Sequence, residues 1–290
     1  MDQEANRRVA EFWTDNNVTQ HRTFRSKDES LEMLRWRNDQ YLGFVELMPF
    51  SAEPGQTVLD YGCGPGHDLV GYITESNASR IIGADVSSSS LSEAAARCRL
   101  HERDVELIHL SPDQVEIPLE KESVDVIHSS GVIHHIPDPV PVLRELRRIL
   151  KPGGVMRCMN YNRESLFYHC YVGWQKRFSE IGPYNGMSTD DAFRDLTDGE
   201  GCPVSRAWAP ESFLRIASEA GFSGRHTGNA ISSFEMENQL RRFAAIVDPR
   251  LEREHREFLR DIRLDPEGFP RNAAGDVAGV DACFELWTAE

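Results

Sequence analysis

A glycine-rich loop follows a short apolar run in the stretch TVLDYGCGPGHDL. Gly62, Gly64 and Gly66 allow the backbone to come close to a bound molecule. Dinucleotide-binding loops have the spacing G-x-G-x-x-G, whereas this loop has G-x-G-x-G, and Pro65 lacks an amide that could face a pyrophosphate. Asp60 would repel a pyrophosphate but suits an ammonium group. The loop is therefore predicted to bind a cofactor without phosphates, unless the glycines only form a tight turn.

A second acidic residue, Asp85, ends the next apolar run of the chain, SRIIGADV. An acidic side chain about 20 residues after such a loop can accept hydrogen bonds from the hydroxyls of a ribose. A ligand with a ribose and an ammonium group but no phosphate satisfies both Asp60 and Asp85. S-adenosylmethionine has these features together with a sulfonium, and it is the predicted cofactor.

Strand and helix patterns alternate between residues 57 and 160. The predicted strands are TVLDYG, SRIIGADV, VELIHL, VDVIHSS and VMRCMN, and amphipathic patterns predict helices between them. Such alternation is typical of an α/β fold with a mostly parallel sheet that is covered on both faces. Ligands of these sheets bind at the carboxyl ends of the strands, where the glycine loop lies.

The remaining segments are predicted to surround this core. Residues 1–50 read as an N-terminal helical extension, and residues 51–160 as the cofactor-binding core. Residues 161–205 mix aromatic residues with glycines and are predicted to form a substrate lid. Residues 206–290 would complete the core, with a helical insertion at about 236–263.

The charge and the cysteine content of the chain disfavour several classes of partner and of structural site. The chain has 32 Lys and Arg against 47 Asp and Glu, a formal net charge of -15, which disfavours nucleic acid and anionic membranes. Neither a signal core nor a long apolar run is present, so the cytoplasm is the expected location. The six cysteines form no C-x-x-C pair, and neither a metal site nor a disulfide framework is expected. The oligomeric state stays open.

Four motifs in order resemble those of the class I S-adenosylmethionine-dependent methyltransferases, in particular the ubiquinone-biosynthesis type. They are VLDYGCGPG, GADVS, IPLEKESVDVIHSSGVIHHIPDP and LRELRRILKPGG, with a weaker match in WAPESFLRIASEAGF. Leu119 and Val124 stand where the family usually has aromatic residues, which keeps the strand apolar. The resemblance implies a Rossmann-like, doubly wound and mostly parallel seven-stranded sheet.

The same resemblance implies roles for individual residues in holding the cofactor. The three glycines of the loop would approach its methionine part and its ribose, and Asp85 would bind the ribose hydroxyls. Asp113 would accept from the adenine amino group, unless it only caps a turn, and Gln114 would join it. Ser130 would offer its backbone to the methionine ammonium. S-adenosylhomocysteine would be the product.

Methyl transfer is an in-line displacement, so the protein mainly positions the acceptor and excludes water. Where the acceptor must lose a proton, the candidate bases are His134, His135 and Tyr161, although the two histidines could serve only the loop. Aromatic residues of the lid are predicted either to enclose the acceptor or to form an ordinary buried helix face. The proposed acceptor contacts are Asn162, Tyr168, Tyr171 and Trp174.

The sequence therefore predicts a methyltransferase that acts on a small molecule through an oxygen, nitrogen, carbon or sulfur atom. It lacks the N/D-P-P-Y/F tetrapeptide associated with methylation of nucleic-acid bases, in agreement with the acidic charge. One rival is a catalytically silent member of the fold that acts as a binding or partner subunit. Another is a nicotinamide-dependent oxidoreductase, which Pro65, Asp60 and the glycine spacing disfavour.

Overall fold

The computed structural model describes residues 2–178 and 182–288. In these ranges the chain forms an eight-stranded sheet and a separate two-stranded one. The strands are β1 (Tyr41–Leu42), β2 (Thr57–Tyr61), β3 (Arg80–Asp85), β4 (Glu106–His109), β5 (Val124–Ser130), β6 (Leu150–Tyr161), β7 (Phe222–Ser232), β8 (Arg263–Leu264), β9 (Pro270–Arg271) and β10 (Asp281–Thr288).

The large sheet has the order β1-β7-β10-β6-β5-β2-β3-β4. The pairs from β6 to β4 are parallel, whereas β10 pairs antiparallel with both β6 and β7. This arrangement confirms the predicted Rossmann-like, mostly parallel α/β fold. The strand count is eight instead of seven because Tyr41 and Leu42 add a short antiparallel edge strand to β7. A pair of only two residues is too short to show a periodic pattern in the sequence.

Helices flank the sheet and build its surroundings. They are α1 (Gln3–Asp15), α2 (Lys27–Asp39), α3 (Phe44–Leu47), α4 (His67–Glu75), α5 (Ser88–Leu100), α6 (Pro139–Ile149), α7 (Thr189–Thr197), α8 (Pro210–Glu219), α9 (Ser233–Asn238), α10 (Arg242–Val247) and α11 (Arg253–Asp261). Short 3-10 helices occupy Ile133–His135 and Gln239–Arg241, and a π-helix occupies Phe167–Lys176. Within the described residues, every helix is too short or too polar to cross a membrane.

The sheet is buried on both faces, as the apolar strands predict. Val58 and Leu59 are successive residues of β2 and belong to two different apolar clusters, because neighbouring strand residues point to opposite faces. One cluster includes Leu146 of α6 and Phe213 of α8, and the other includes Leu69 of α4. This packing holds the carboxyl ends of β2, β3 and β5 in fixed relative positions.

The N-terminal helices pack across the carboxyl ends of the strands. Arg97 of α5 is buried and donates from Nε to the Ser30 hydroxyl and from Nη2 to the Ser30 carbonyl, which joins α5 to α2. The same guanidinium contacts His67 Nδ1, at the start of α4, at 2.8 Å. Helix α2 is thereby fixed beside the glycine loop, and the Thr14 carbonyl of α1 accepts from the Ser89 hydroxyl of α5.

Candidate functional site

A cavity of about 650 Å³ lies at the carboxyl ends of the parallel strands. It has two ends, and the sheet order places one at the ends of β5, β2 and β3 and the other nearer β6, β10 and β1. We call the first the loop end, which is lined by Gly62, Gly64, Asp85, Gln114 and Ser130. We call the second the Tyr161 end, which is lined by Tyr41, His135, Tyr161, Asp198 and Asp281.

The three glycines of the loop all have left-handed backbone, but they serve different purposes. Their φ angles are +77° at Gly62, +49° at Gly64 and +82° at Gly66. A Cβ on Gly62 would lie 2.3 Å from a methyl of Val132, and one on Gly66 would press against Ala94 at 3.2 Å. Nothing described lies within 4 Å of such an atom on Gly64. Gly62 and Gly66 are therefore needed for packing, and Gly64 offers its bare backbone to the cavity.

Asp85 is the acidic side chain of the loop end. Its Oδ2 accepts from the Gly64 amide at 2.8 Å, and its Oδ1 accepts from the Ser87 amide at 2.8 Å. Burial raises the pKa of this carboxyl, and the two backbone amides act in the opposite direction. The hydrogen bonds fix both oxygens and leave further lone pairs for a ligand in the cavity.

Asp60, the other acidic residue that the loop suggested, lies beneath the cavity and not on its lining. It is buried, and its Oδ2 has no hydrogen-bond partner among the described residues. Burial raises its pKa, with help from the charges of Asp68 and Asp85. Asp68 lines the cavity instead, where Arg37 and His128 contact it. Burial alone would raise the pKa of Asp68, but these two partners outweigh it and hold the pKa below its usual value.

Two residues are predicted to contact adenine, and only one of them lines the cavity. Gln114 lines the cavity beside Pro112. Asp113 is 40% exposed, lies outside the described lining, and accepts a hydrogen bond from Arg7 Nε at 2.7 Å. This ion pair connects the segment after β4 to α1. Asp113 thus contacts the N-terminal helix that covers the site.

Three side chains meet at the Tyr161 end. The Tyr161 hydroxyl donates to Asp198 Oδ1 at 2.9 Å, and His135 Nε2 lies 3.6 Å from the same oxygen. His135 Nδ1 lies 2.8 Å from the Val204 carbonyl, and the Trp13 ring packs edge-on against the imidazole. Burial raises the pKa of Tyr161, and Asp198 raises it further, so the phenol stays protonated. Tyr161 therefore acts as a hydrogen-bond donor here.

His134, the neighbour of His135, is placed behind the lining. Its ring stacks on Tyr161 with centroids 3.9 Å apart, and its Nδ1 accepts from the Tyr161 amide at 3.2 Å. Burial holds its pKa well below the usual value, and His135 lowers it further. The ring is thus a neutral support for Tyr161.

The aromatic residues proposed as acceptor contacts also lie behind the lining. Tyr168 donates to Asp190 at 2.6 Å, and Trp174 donates to Asp248 at 2.8 Å. Tyr171 packs against Phe234, which does line the cavity.

Asn162, the remaining proposed contact, is also turned away from the cavity. Its side-chain amide donates to the Gly279 and Glu164 carbonyls. Within the described part of the chain, none of the proposed acceptor contacts reaches the lining: Asn162, Tyr168, Tyr171 and Trp174.

Several lining residues were not found from the sequence. Asp281 begins β10 directly opposite Tyr161 of β6, and only 2% of it is exposed. Burial raises the pKa of its carboxyl to about 8, with a contribution from Glu235. Asp198 follows α7, and its side chain is 4% exposed. These residues lie far apart in the chain, so no local motif joins them.

One group of three potential metal ligands occurs in the described residues. His135, Asp198 and Cys202 each offer an atom within 4.8 Å of the others. A thiol binds metal as its thiolate. The Cys202 thiol, however, donates to the Val204 carbonyl at 3.4 Å, and burial raises its pKa to about 12. The contacts of Cys202 are those of a protonated thiol, and the absence of a metal site remains a prediction.

Comparison with known proteins identifies relatives of this chain. Residues 52–190 match a family model described as a methyltransferase domain. A demethylmenaquinone methyltransferase from Lactococcus lactis is 32% identical over 185 residues, which are 62% of this chain and 72% of that protein. A tRNA U34 carboxymethyltransferase from Pseudoalteromonas atlantica is 36% identical over 119 residues, which are 41% of this chain and 36% of that protein.

A solved structure shows the same fold. The YcgJ protein from Bacillus subtilis superimposes with a TM-score of 0.55 at 16% identity, covering 91% of this chain and 99% of that one. The chain spans between 31% and 52% of the length of the first curated relatives that it matches. The matched residues include the glycine loop, Asp85 and Tyr161. The chain belongs to the class I S-adenosylmethionine-dependent methyltransferases.

Proposed function

We propose that this protein transfers the methyl group of S-adenosylmethionine to a small organic acceptor bound at the Tyr161 end of the cavity. The observation that carries the proposal is the continuity of the cavity, which joins the glycine loop to Tyr161, His135 and Asp281. One space thus borders both the cofactor motifs and a set of polar side chains. Its size of about 650 Å³ is within the usual range for small-molecule sites.

The loop end suits the cofactor in chemistry and in shape. S-adenosylmethionine supplies a methyl group that is activated by a sulfonium. The open face of Gly64 would admit the cofactor close to the backbone, and Asp85 would accept from its ribose hydroxyls. Gln114 would lie on the adenine side. For the ammonium group, Asp68 is better placed than Asp60 because it lines the cavity.

The chain itself would position the acceptor and exclude water. Trp13 of α1 packs against His135, and Trp36, Arg37 and Gln40 of the α2 region complete the lining. A cover made from the first two helices would keep bulk water from the sulfonium. The residues at the Tyr161 end would then orient the atom that receives the methyl group.

A small acceptor fits this site better than a nucleic acid. The formal charge of -15 opposes binding of a phosphate backbone, and residues of the first two helices line the cavity. The tRNA U34 carboxymethyltransferase from Pseudoalteromonas atlantica aligns with only 41% of this chain. We therefore assign the Tyr161 end to a small organic molecule.

Titration calorimetry with S-adenosylmethionine, S-adenosylhomocysteine and NAD tests the cofactor assignment. We expect the first two to bind and NAD to fail. NAD binding would favour the oxidoreductase rival. Transfer of a labelled methyl group to an acceptor tests the activity, and cofactor binding without transfer to any compound of a broad panel would favour the silent subunit.

A further inference from the structure

The protonation state of His135 is determined by its hydrogen bonds. Its Nδ1 lies 2.8 Å from the Val204 carbonyl, and a carbonyl oxygen can only accept, so Nδ1 carries the proton. Nε2 then has a free lone pair. The residue lines the cavity, and burial lowers its pKa, which keeps the ring neutral. A neutral imidazole with a free lone pair in a cavity is suited to accept a proton.

Nε2 faces a second acceptor, Asp198. The distance from Nε2 to Asp198 Oδ1 is 3.6 Å, and with the proton on Nδ1 no hydrogen bond joins them. Asp198 Oδ2 is buried and has no partner within residues 2–178 and 182–288. A buried polar atom without a partner is unfavourable until something donates to it. His135 Nε2 and the Asp198 carboxylate are thus two acceptors side by side, and a ligand hydroxyl could donate to them.

Tyr161 holds this pair in place. Its hydroxyl donates to Asp198 Oδ1 at 2.9 Å, so its proton is committed to the carboxylate. The raised pKa of the phenol makes it a poor base. Of the three bases that the sequence suggested, His135 alone combines a basic nitrogen with a place on the described lining, because His134 lies behind it and Tyr161 is a weakly basic phenol.

On this basis, and resting on the proposed function, we infer that the acceptor is an uncharged molecule whose hydroxyl group is methylated, with His135 taking the proton and Asp198 stabilising the imidazolium. An aliphatic hydroxyl does not ionise near neutral pH, so it gains most from a base in the transition state. A neutral amine attacks with its own lone pair, an alkylamine near neutral pH is a charged ammonium, and a thiol ionises more readily than a hydroxyl, with a pKa of about 8.5.

The surroundings favour an uncharged acceptor. The charge of Arg37 is neutralised by Asp68, and the carboxyl of Asp281, with its pKa of about 8, is mainly protonated at neutral pH. The Asp198 carboxylate accepts from the Tyr161 hydroxyl, and during the step its charge is balanced by the imidazolium of His135. Gln40, Tyr41 and Ser232 add uncharged polar groups to the lining. These groups can donate to and accept from hydroxyl groups of a ligand.

The step balances without a further reactant. The acceptor oxygen forms a bond to the methyl carbon, the carbon–sulfur bond breaks, and its electron pair goes to sulfur. The hydroxyl proton goes to His135 Nε2. The resulting imidazolium donates toward Asp198 and loses the proton to solvent when the product leaves. Sulfonium becomes thioether, and no oxidant or reductant is involved.

The test uses the full chain and methyl-labelled S-adenosylmethionine. One panel contains hydroxyl compounds, namely methyl glycosides, catechols and flavonols, and the other contains analogues with an amino group in place of one hydroxyl. We expect label in methyl ethers from the first panel. Label in the amines with none in the hydroxyl compounds would overturn the inference and leave the proposed function intact. Cofactor binding without transfer to either panel, or loss of cofactor binding altogether, would instead contradict the proposed function.

Variants then assign the roles. We expect His135→Asn to lower kcat by about 100-fold or more with unchanged cofactor affinity. Asp198→Asn should lower kcat more than it raises KM. The matched controls are His226→Asn and Asp195→Asn, and both should keep wild-type turnover. In the wild type, His226 hydrogen-bonds Asn229 and Asp195 pairs with Arg194, away from the cavity lining. Wild-type kcat in His135→Asn would contradict the role of His135 as the base.

A pH profile separates positioning by Asp198 from a merely structural role. The charge of Asp198 raises the pKa of His135, so Asp198→Asn should move the acid limb of kcat to lower pH. Other titratable or charged groups near the ring stay in place in this variant: His134, Tyr161, Cys202 and Arg206. An unmoved limb would contradict the role of Asp198. Stoichiometric metal in the purified protein that disappears in Cys202→Ser would overturn the inference, because Nε2 would then be a ligand.

Discussion

The carboxylate of Asp85 and the amide of Gly64 are joined by a 2.8 Å hydrogen bond. This bond ties the end of β3 to the loop after β2, the two segments that the sequence had linked only by their spacing. A change at Asp85 should therefore affect the cofactor in two ways. The ligand loses a charged acceptor, and the loop loses its anchor.

We expect Asp85→Ala to weaken S-adenosylmethionine binding by about 1.5 to 3 kcal/mol, because hydrogen bonds to a charged acceptor are lost. Titration calorimetry measures the change. Asp125→Ala is a matched control, because Asp125 also accepts from a backbone amide, that of Thr57, away from the cavity lining. Unchanged affinity in a folded Asp85→Ala protein would exclude Asp85 from ribose binding.

The glycine loop allows a steric test. Gly64→Val places a branched side chain where no described atom lies within 4 Å, on the cavity side of the loop, and should abolish cofactor binding. Gly153→Val is the control, because Gly153 has φ +75°, equally open space and a position away from the cavity. Both variants should lose about 1 to 2 kcal/mol of stability from the left-handed backbone. If Gly64→Val still binds the cofactor, the loop is only a turn.

The elements that the sequence predicted well are those whose pattern is local. Strands β2, β3 and β5 are apolar runs bounded by turns, and α8 begins at Pro210 and ends before a glycine, as expected. Strand β7 was missed because FSGRHTGNAIS contains two glycines and no regular alternation. It is stabilised by pairing with β10, almost sixty residues later in the chain, and that partner is invisible to a local pattern.

The residues of the candidate site also differ in whether a local sequence pattern predicts them. Gly64 and Asp85 belong to one unit of β2, α4 and β3, so their proposed roles follow from nearby sequence. Asp281 and Tyr161 face each other only because β10 inserts between β6 and β7. The aromatic spacing after Tyr161 allowed either a cage or a buried face, and the structure places Tyr168 in a buried cluster. Long-range pairing, not local periodicity, brings the residues of the Tyr161 end together.

Tyr161→Phe removes the donor that holds Asp198. We expect turnover to fall because Asp198 would no longer be fixed opposite His135, while cofactor affinity stays nearly constant. Initial rates at saturating cofactor measure the effect. Tyr168→Phe is the matched control, since that hydroxyl donates to Asp190 outside the cavity. Equal turnover in Tyr161→Phe and wild type would reduce Tyr161 to a packing role.

The pairing of Asp113 with Arg7 predicts that Asp113 contributes little to adenine binding. Asp113→Asn should change cofactor affinity by less than about 1 kcal/mol, since an exposed ion pair contributes about that much at most. Gln114→Ala, one residue further on, should weaken binding more because Gln114 lines the cavity. A larger loss in Asp113→Asn than in Gln114→Ala, measured by calorimetry, would restore Asp113 to the adenine site.

Hydrogen exchange can identify which segment covers the site. Among the residues of α1, Ala10 alone is buried, and Trp36 of α2 is 56% exposed although it lines the cavity. The π-helix Phe167–Lys176, within the predicted lid, instead buries five residues against α7 and the helices that follow β7. Segments with few buried contacts open at low free energy, and a ligand that contacts them adds protection. We therefore expect α1 and α2 to gain protection when S-adenosylhomocysteine binds, and the π-helix to change little. A gain confined to the π-helix would instead identify residues 161–178 as the moving cover.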